Sequence, residues 1–286
     1  MSRPSRVNGR PTMTIVSRES VVAKVSKEVV WWINNRMNKL RGERHDTMSL
    51  NPFLAPILYN LHNAGDFAEL GTLLLAGHLM TGHSTGFGKL TDERLLPNVF
   101  GTQKLTGAYR SKNPPFAASY FNEIDHVVAH LSPKPILLSL KTSRWTIQLT
   151  AAMELNAAFV KIIEKHIDQF EQIVVGVSIG SAAELSDKYD ILRGINRGKN
   201  HDVVDIQQHV HVLAGRSFWA WINAGEQATQ DWILEGILAG LHESNCREEG
   251  HLLLASFAKA FNRSYDKFKK DDGTIDWYAL LTSING

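Results

Sequence analysis

Residues 172–179 (QIVVGVSI) are apolar almost throughout, with no regular polar alternation. A strand with one wet face alternates between apolar and polar residues; a strand covered on both faces does not. The run therefore predicts a strand buried on both sides, which needs a sheet with helices packed above and below it. Two further segments carry strand character, residues 119–129 (SYFNEIDHVVA) and 135–141 (PILLSLK), separated by a turn at Ser132-Pro133. A shorter strand is expected at 209–213 (HVHVL).

Helical periodicity surrounds these strands. Val22, Val25, Val29, Ile33 and Met37 recur at steps of three and four, which predicts an amphipathic helix over 20–41. Asn51 followed by Pro52 reads as an N-cap and first helical position of a short helix reaching about Asn60. Asp66 is placed to cap a helix running to about Met80. The stretch Thr81-Gly-His-Ser-Thr-Gly-Phe-Gly88 then reads as a glycine-rich loop, followed by a helix from Lys89 to Phe100. Ile147, Ala151, Leu155, Phe159 and Ile162 or Ile163 mark one face of a long helix from about Trp145 to His166. From residue 216 onward the chain reads mostly helical. The fold class expected from this order is α/β (α+β), a mixed central sheet flanked by helices with extra N- and C-terminal helices. Residues 1–12 read as a disordered tail, with Met13 as an alternative start. Residues 13–286 read as one domain in which 20–80 and 216–286 are helical additions to an 89–213 core.

With 31 Lys+Arg against 29 Asp+Glu, the net charge of +2 does not mark a nucleic-acid binder; any basic surface has to come from local clustering. Cys246 is the single cysteine, which excludes an intramolecular disulfide and fits a reducing, cytoplasmic setting. The strongest apolar run, from Leu73 to Leu75 and onward, meets His78 well short of the roughly 18 residues of a membrane span. Residues 1–12 lack the apolar core of a secretory signal. The 81–88 stretch lacks the GxxxxGK[ST] pattern and does not follow a strand, so no nucleotide cofactor is expected.

The residues that carry chemistry lie on the first strand pair. Asp125 sits in one expected strand, and Lys141 ends the next. A two-strand unit brings such ends side by side, so a carboxylate and an ammonium converge. Phosphodiester hydrolysis uses that pair: the carboxylate holds Mg²⁺, and the lysine orients the attacking water or neutralises charge. The pattern resembles PD-(D/E)xK nucleases, with one departure. The second strand reads Ser139-Leu140-Lys141, a serine where the second acid belongs. Ser139 can offer a hydroxyl or a water-mediated metal contact. Glu154, seven positions after Ile147 on the following helix, and Glu93, on the helix before the first strand, are candidates for the missing carboxylate. Glu123 shares a strand face with Asp125 and stays open as well.

A longer resemblance supports this pattern. The segments MSLNPFLAP (48–56), HLMTGHSTGFGKLTDERLLPNVFG (78–101), FNEIDHV (121–127), LLSLK (137–141), RWTIQLT (144–150) and ILRGIN (191–196) resemble, in collinear order, the type II restriction endonucleases that cut the interrupted palindrome RGGNCCY. The resemblance implies a restriction-endonuclease-like fold, a homodimer that cuts one strand per subunit, Mg²⁺ as the cofactor, and double-stranded DNA with a GGNCC centre as the partner. Under that reading Arg193, Asn196, Arg197 and Lys199, in a glycine-punctuated stretch, are candidates for guanine or backbone contact. Lys104 and Arg110, near Lys112, are candidates for phosphate contact. The other reading of each is a solvated surface residue. His78 and His83, like His209 and His211, lack a third ligand at metal-binding spacing. The aromatic stretch Phe218, Trp219, Trp221 and Trp232 reads as core or dimer interface.

Overall fold

A computed structural model describes residues 14–42, 50–141, 147–244 and 246–286. In chain order the elements begin with α1 (Arg18–Gly42), α2 (Leu54–Leu61), α3 (Phe67–Leu90), a π-helical turn (Thr91–Leu95), α4 (Leu96–Phe100), β1 (Gln103–Lys104) and α5 (Gly107–Lys112). A 3₁₀ turn (Ser119–Glu123) leads into β2 (His126–Val128), β3 (Ile136–Lys141), α6 (Leu149–His166), β4 (Ile173–Val177), α7 (Lys188–Ile191) and β5 (Val210–Ala214). Then follow α8 (Arg216–Ile222), α9 (Thr229–Glu243), α10 (Cys246–Tyr265) and α11 (Trp277–Asn285). Trp145, the expected start of the long helix, lies outside the described residues. No helix among the described residues is long and apolar enough to cross a membrane.

The chain divides into two compact units. One comprises the described residues up to Glu28 together with Gly88–Ala239; the other comprises Val29–Phe87 and Gly240–Gly286.

The first unit holds a five-stranded mixed sheet in the order β1-β2-β3-β4-β5. β1 and β3 flank β2 antiparallel, while β3, β4 and β5 run parallel. The apolar run at 172–179 becomes β4, every residue of which is buried. Its two faces have different partners. Leu137, Ile173, Val175 and Val177 pack with Leu155, Phe159 and Ile162 of α6. On the opposite face Gly176 lies under Phe218 of α8, where a Cβ would stand 2.3 Å from the ring and 3.0 Å from Leu138 Cδ1. The glycine is what lets α8 sit down on the sheet. Gly176→Ala is accordingly expected to lower unfolding stability by about 1–3 kcal/mol, the usual cost of overpacking a filled core. Chemical denaturation measures this, and an unchanged midpoint would show that Phe218 can move aside.

Two sequence expectations are corrected in this unit. Residues 119–123 form a 3₁₀ turn, so the first strand is short and Asp125 stands just before it. The two-residue strand β1 is an addition, too brief to leave a periodic signal. The helix expected at 89–100 is also interrupted. Pro97 has no N–H to give the carbonyl four residues back, and the run widens into a π turn over the preceding residues.

In the second unit Asp66 caps α3 as expected, whereas α2 starts at Leu54 with Phe53 at its N-cap, so Asn51 and Pro52 precede it. Asn51 Oδ1 accepts from Phe53 N and Leu54 N at 3.0 and 3.1 Å, and Asp66 Oδ1 accepts from Glu69 N at 2.9 Å. Phe67, Leu70, Phe261 and Leu280 form the core of this unit. The stretch expected as a glycine-rich loop is helical instead, a continuation of α3. Gly82 and Gly86 are one turn apart and leave room for Arg36, whose guanidinium donates to the Gly82 carbonyl. Trp32 Nε1 donates to the Gly86 carbonyl at 3.1 Å. The glycines serve close helix packing, and a packing role outweighs their low helix propensity.

Candidate active site

β2 and β3 part company at Asp125, and the reason is visible in the hydrogen bonds. Asp125 N donates to Leu138 O at 2.8 Å, and Leu105 N donates to Asp125 O at 2.8 Å. Before Asp125 the chain turns away into the 3₁₀ turn. That departure would leave the Leu140 N–H on β3 without a ladder partner. The Asp125 side chain takes the place of the missing strand, with Oδ2 accepting from Leu140 N at 2.7 Å. The antiparallel register ends with His126 opposite Leu138, and the Asp125 side chain reaches the N–H of Leu140, between Ser139 and Lys141. Lys141 ends the same strand and lies on the same face as Ser139 by alternation. Thus, at this strand fork, Asp125 stands beside the end of the strand that carries Ser139 and Lys141.

The environment of this fork is partly dry. Burial pushes the Asp125 carboxyl above the ordinary carboxylate range, against the pull of the Leu140 N–H and the Lys141 charge; Asp92 adds to the rise and Lys104 opposes it. Ser139 is fully buried, and its Oγ makes no hydrogen bond among the described residues. A buried hydroxyl without a partner costs about 1–3 kcal/mol.

The second acid that reaches this region is Asp92. Its Oδ1 is 2.8 Å from His126 Nε2, and its Oδ2 accepts from Lys104 Nζ. His126 is fully buried and bonds Thr102 Oγ1 through Nδ1 at 2.9 Å. Burial opposes ionisation of Asp92, yet the His126 and Lys104 bonds outweigh it and hold the carboxyl below its usual value. Glu93 and Glu154, the carboxylates expected from the sequence, are both exposed. Asp92 was missed because the π turn Thr91–Leu95 breaks the regular helical phase, and neighbouring acids on such a turn look alike in sequence.

The remaining candidates are engaged within the protein. Lys104 belongs to the Asp92 cluster. Arg110 donates to the carbonyls of Leu105 (at 3.0 Å), Phe121 and Ile124, so the guanidinium expected to meet phosphate is committed to the backbone leading into Asp125. Arg193 pairs with Asp190 at 2.6 Å, Arg197 pairs with the same carboxylate, and Lys199 lies 3.6 Å from Asp187. Asn196 bonds both the N–H and the carbonyl of His201, a turn-closing role. Of this stretch, Arg197 and Lys199 remain about two-thirds exposed, so their pairs are weak and exchangeable.

Among the described residues no three His, Cys, Asp or Glu side chains gather as a metal cage. Mg²⁺ asks for less: one or two carboxylates, with water and substrate phosphate completing its shell. Asp125, a desolvated carboxylate bonded to Leu140 N and close to the Lys141 charge, fits that minimal requirement. The geometry can hold a divalent cation beside a lysine at the mouth of a strand fork.

No protein-family model matches the chain, and no curated protein matches it.

Proposed function

We propose that this chain is a Mg²⁺-dependent, site-specific endonuclease of double-stranded DNA, with Asp125 and Lys141 at its centre. The observation that carries the reading is the fork itself: a carboxylate substituting for a departed strand, with a lysine ending the neighbouring one. Asp125 would hold the cation, and Ser139 would reach it directly or through water. When bound, Mg²⁺ supplies Lewis acidity toward the scissile phosphate. Lys141 orients the attacking water and offsets the charge that develops on the phosphate oxygens. Asp92, fixed by His126 and Lys104, supports the field around Asp125. The mixed sheet flanked by helices is compatible with a restriction-endonuclease-like fold. The resemblance of segments 48–56, 78–101, 121–127, 137–141, 144–150 and 191–196 adds a GGNCC-centred target such as RGGNCCY, a homodimer and a cytoplasmic location. A palindrome read by a two-fold dimer explains why one site per subunit suffices.

The test is digestion of supercoiled plasmid with Mg²⁺, followed by mapping of the ends. A discrete ladder with cuts at GGNCC sequences is the expected result. Cuts confined to junctions or damaged positions would replace sequence recognition with structure recognition. A second reading has its own support. Ser139 stands where an acid is usual, and Glu93 and Glu154 are exposed, which favours a DNA-binding protein without catalysis. Tight duplex binding with no cutting in either Mg²⁺ or Mn²⁺ would decide for it.

A further inference from the structure

Beyond the fork, the parallel strands end together. Lys141, Val177 and Ala214 stand in one row across β3, β4 and β5. At the usual strand spacing, Ala214 is roughly 10 Å from Lys141. Directly past this row opens a cavity of about 550 Å³, lined among others by Ser178, Gly180, Ser181, Arg216, Ser217 and Gln230. Ligands of open α/β sheets bind in the crevice outside the carboxyl ends of the strands.

The walls are preformed. Ser178 N donates to Lys141 O at 3.0 Å and Gly215 N to Val177 O at 2.9 Å, tying both rims to the sheet. Gly215 has φ 51°, and a Cβ there would stand 2.2 Å from the Gly180 carbonyl, so the two backbones touch as only glycine allows. Trp219 Nε1 donates to Ser178 O at 3.0 Å. On the far wall Glu184 is turned into its own helical turn by two bonds from Ser181.

We propose that this crevice is a DNA-backbone subsite next to the cleavage site, with Arg216 as its phosphate-binding residue. The inference rests on the endonuclease reading. Serine hydroxyls, a glutamine amide and a guanidinium fork match phosphate oxygens. Trp219, the aromatic side chain among the described lining residues, is only 6% exposed and offers no open face on which a base could stack. Arg216 now pairs with Asp231 at 2.8 Å, and both side chains are more than half exposed. Such a pair is weak and screened by salt, and a phosphate can displace the carboxylate.

The experiment measures binding of a short GGNCC-containing duplex to the full chain by fluorescence anisotropy. Ca²⁺ replaces Mg²⁺, and salt is varied. Arg216→Ala is expected to weaken binding by about tenfold at low salt and to reduce the slope of log K against log[salt] by about 1. Asp231→Asn is expected to act in the opposite direction, strengthening binding, because it removes the carboxylate that competes for Arg216. Loss of a merely structural ion pair would move both variants the same way, and that result would overturn the proposal. So would an unchanged affinity and slope in Arg216→Ala while the wild type binds. A wild type that fails to bind duplex would remove the endonuclease reading itself, and this inference with it.

Discussion

Asp125→Asn and Lys141→Ala are each expected to lower plasmid cleavage by about a hundredfold to ten-thousandfold, with duplex binding retained. Asparagine keeps the oxygen that accepts from Leu140 N, so the strand fork should survive while the charge that holds the cation is lost. Stability should move the other way from activity. Burial holds the Asp125 carboxyl above its ordinary range, so folding favours the protonated form. The ionised group therefore costs stability at pH values above its raised folded pKa. That cost fades as pH falls through the folded pKa toward the unfolded value of about 3.9. Asp125→Asn should thus melt at or above the wild-type temperature near neutral pH, with the difference closing in mild acid. Among the other acids, Glu93→Gln and Glu154→Gln should cut like the wild type, since both are exposed. Asp92→Asn should lose about tenfold to a hundredfold, because it loosens the His126 and Lys104 cluster beside Asp125. Full cutting by Asp125→Asn would end the assignment. A large loss in Glu154→Gln with none in Asp92→Asn would move the second carboxylate to α6.

The parallel strands β3, β4 and β5 were legible in the sequence for physical reasons. An uninterrupted apolar run of strand length has few alternatives, and 172–179 indeed contains β4. Lys141 at the end of an apolar stretch marked a strand terminus, because a charge is costly anywhere deeper. Other features were hidden because tertiary contacts decide them. Glycines at 82 and 86 read as a loop until Arg36 is seen filling the space they leave. Residues 119–123 have strand-like composition but form a 3₁₀ turn, with Phe121 buried and the Phe121 and Ile124 carbonyls satisfied by Arg110. Basic residues near a glycine-rich turn suggested open DNA contacts; Asp187 and Asp190, which neutralise them, lie only a few residues away in the same stretch. Proximity in sequence was visible, but which charges pair was not.

Arg110→Ala is expected to combine a loss of stability with a loss of cation binding. The half-buried guanidinium serves three carbonyls, of Leu105, Phe121 and Ile124. Leu105 closes the ring by donating its own N–H to Asp125 O. Three carbonyls on the approach to Asp125 are therefore tied to one side chain. Burial pushes the Arg110 guanidinium down from its usual pKa, against the pull of the Asp125 and Glu123 charges. Alanine would take the guanidinium from all three carbonyls, of which Phe121 O keeps the Ile124 N–H at 3.0 Å, costing about 2–4 kcal/mol. Because unfolding alone would also abolish activity, the informative variant is Arg110→Lys. Lysine retains the charge but cannot span three acceptors with a planar fork. Its fold should persist at a lower melting temperature, with Asp125 less firmly aimed. The expected signature is a shift of the Mg²⁺ dependence of cleavage to higher concentration, and weaker Mn²⁺ binding measured calorimetrically without DNA. A lysine variant that melts lower but binds Mn²⁺ as tightly as the wild type would make Arg110 a fold residue only. Weakened binding in a folded protein would make it the residue that positions Asp125, reaching the proposed cation through the backbone it holds.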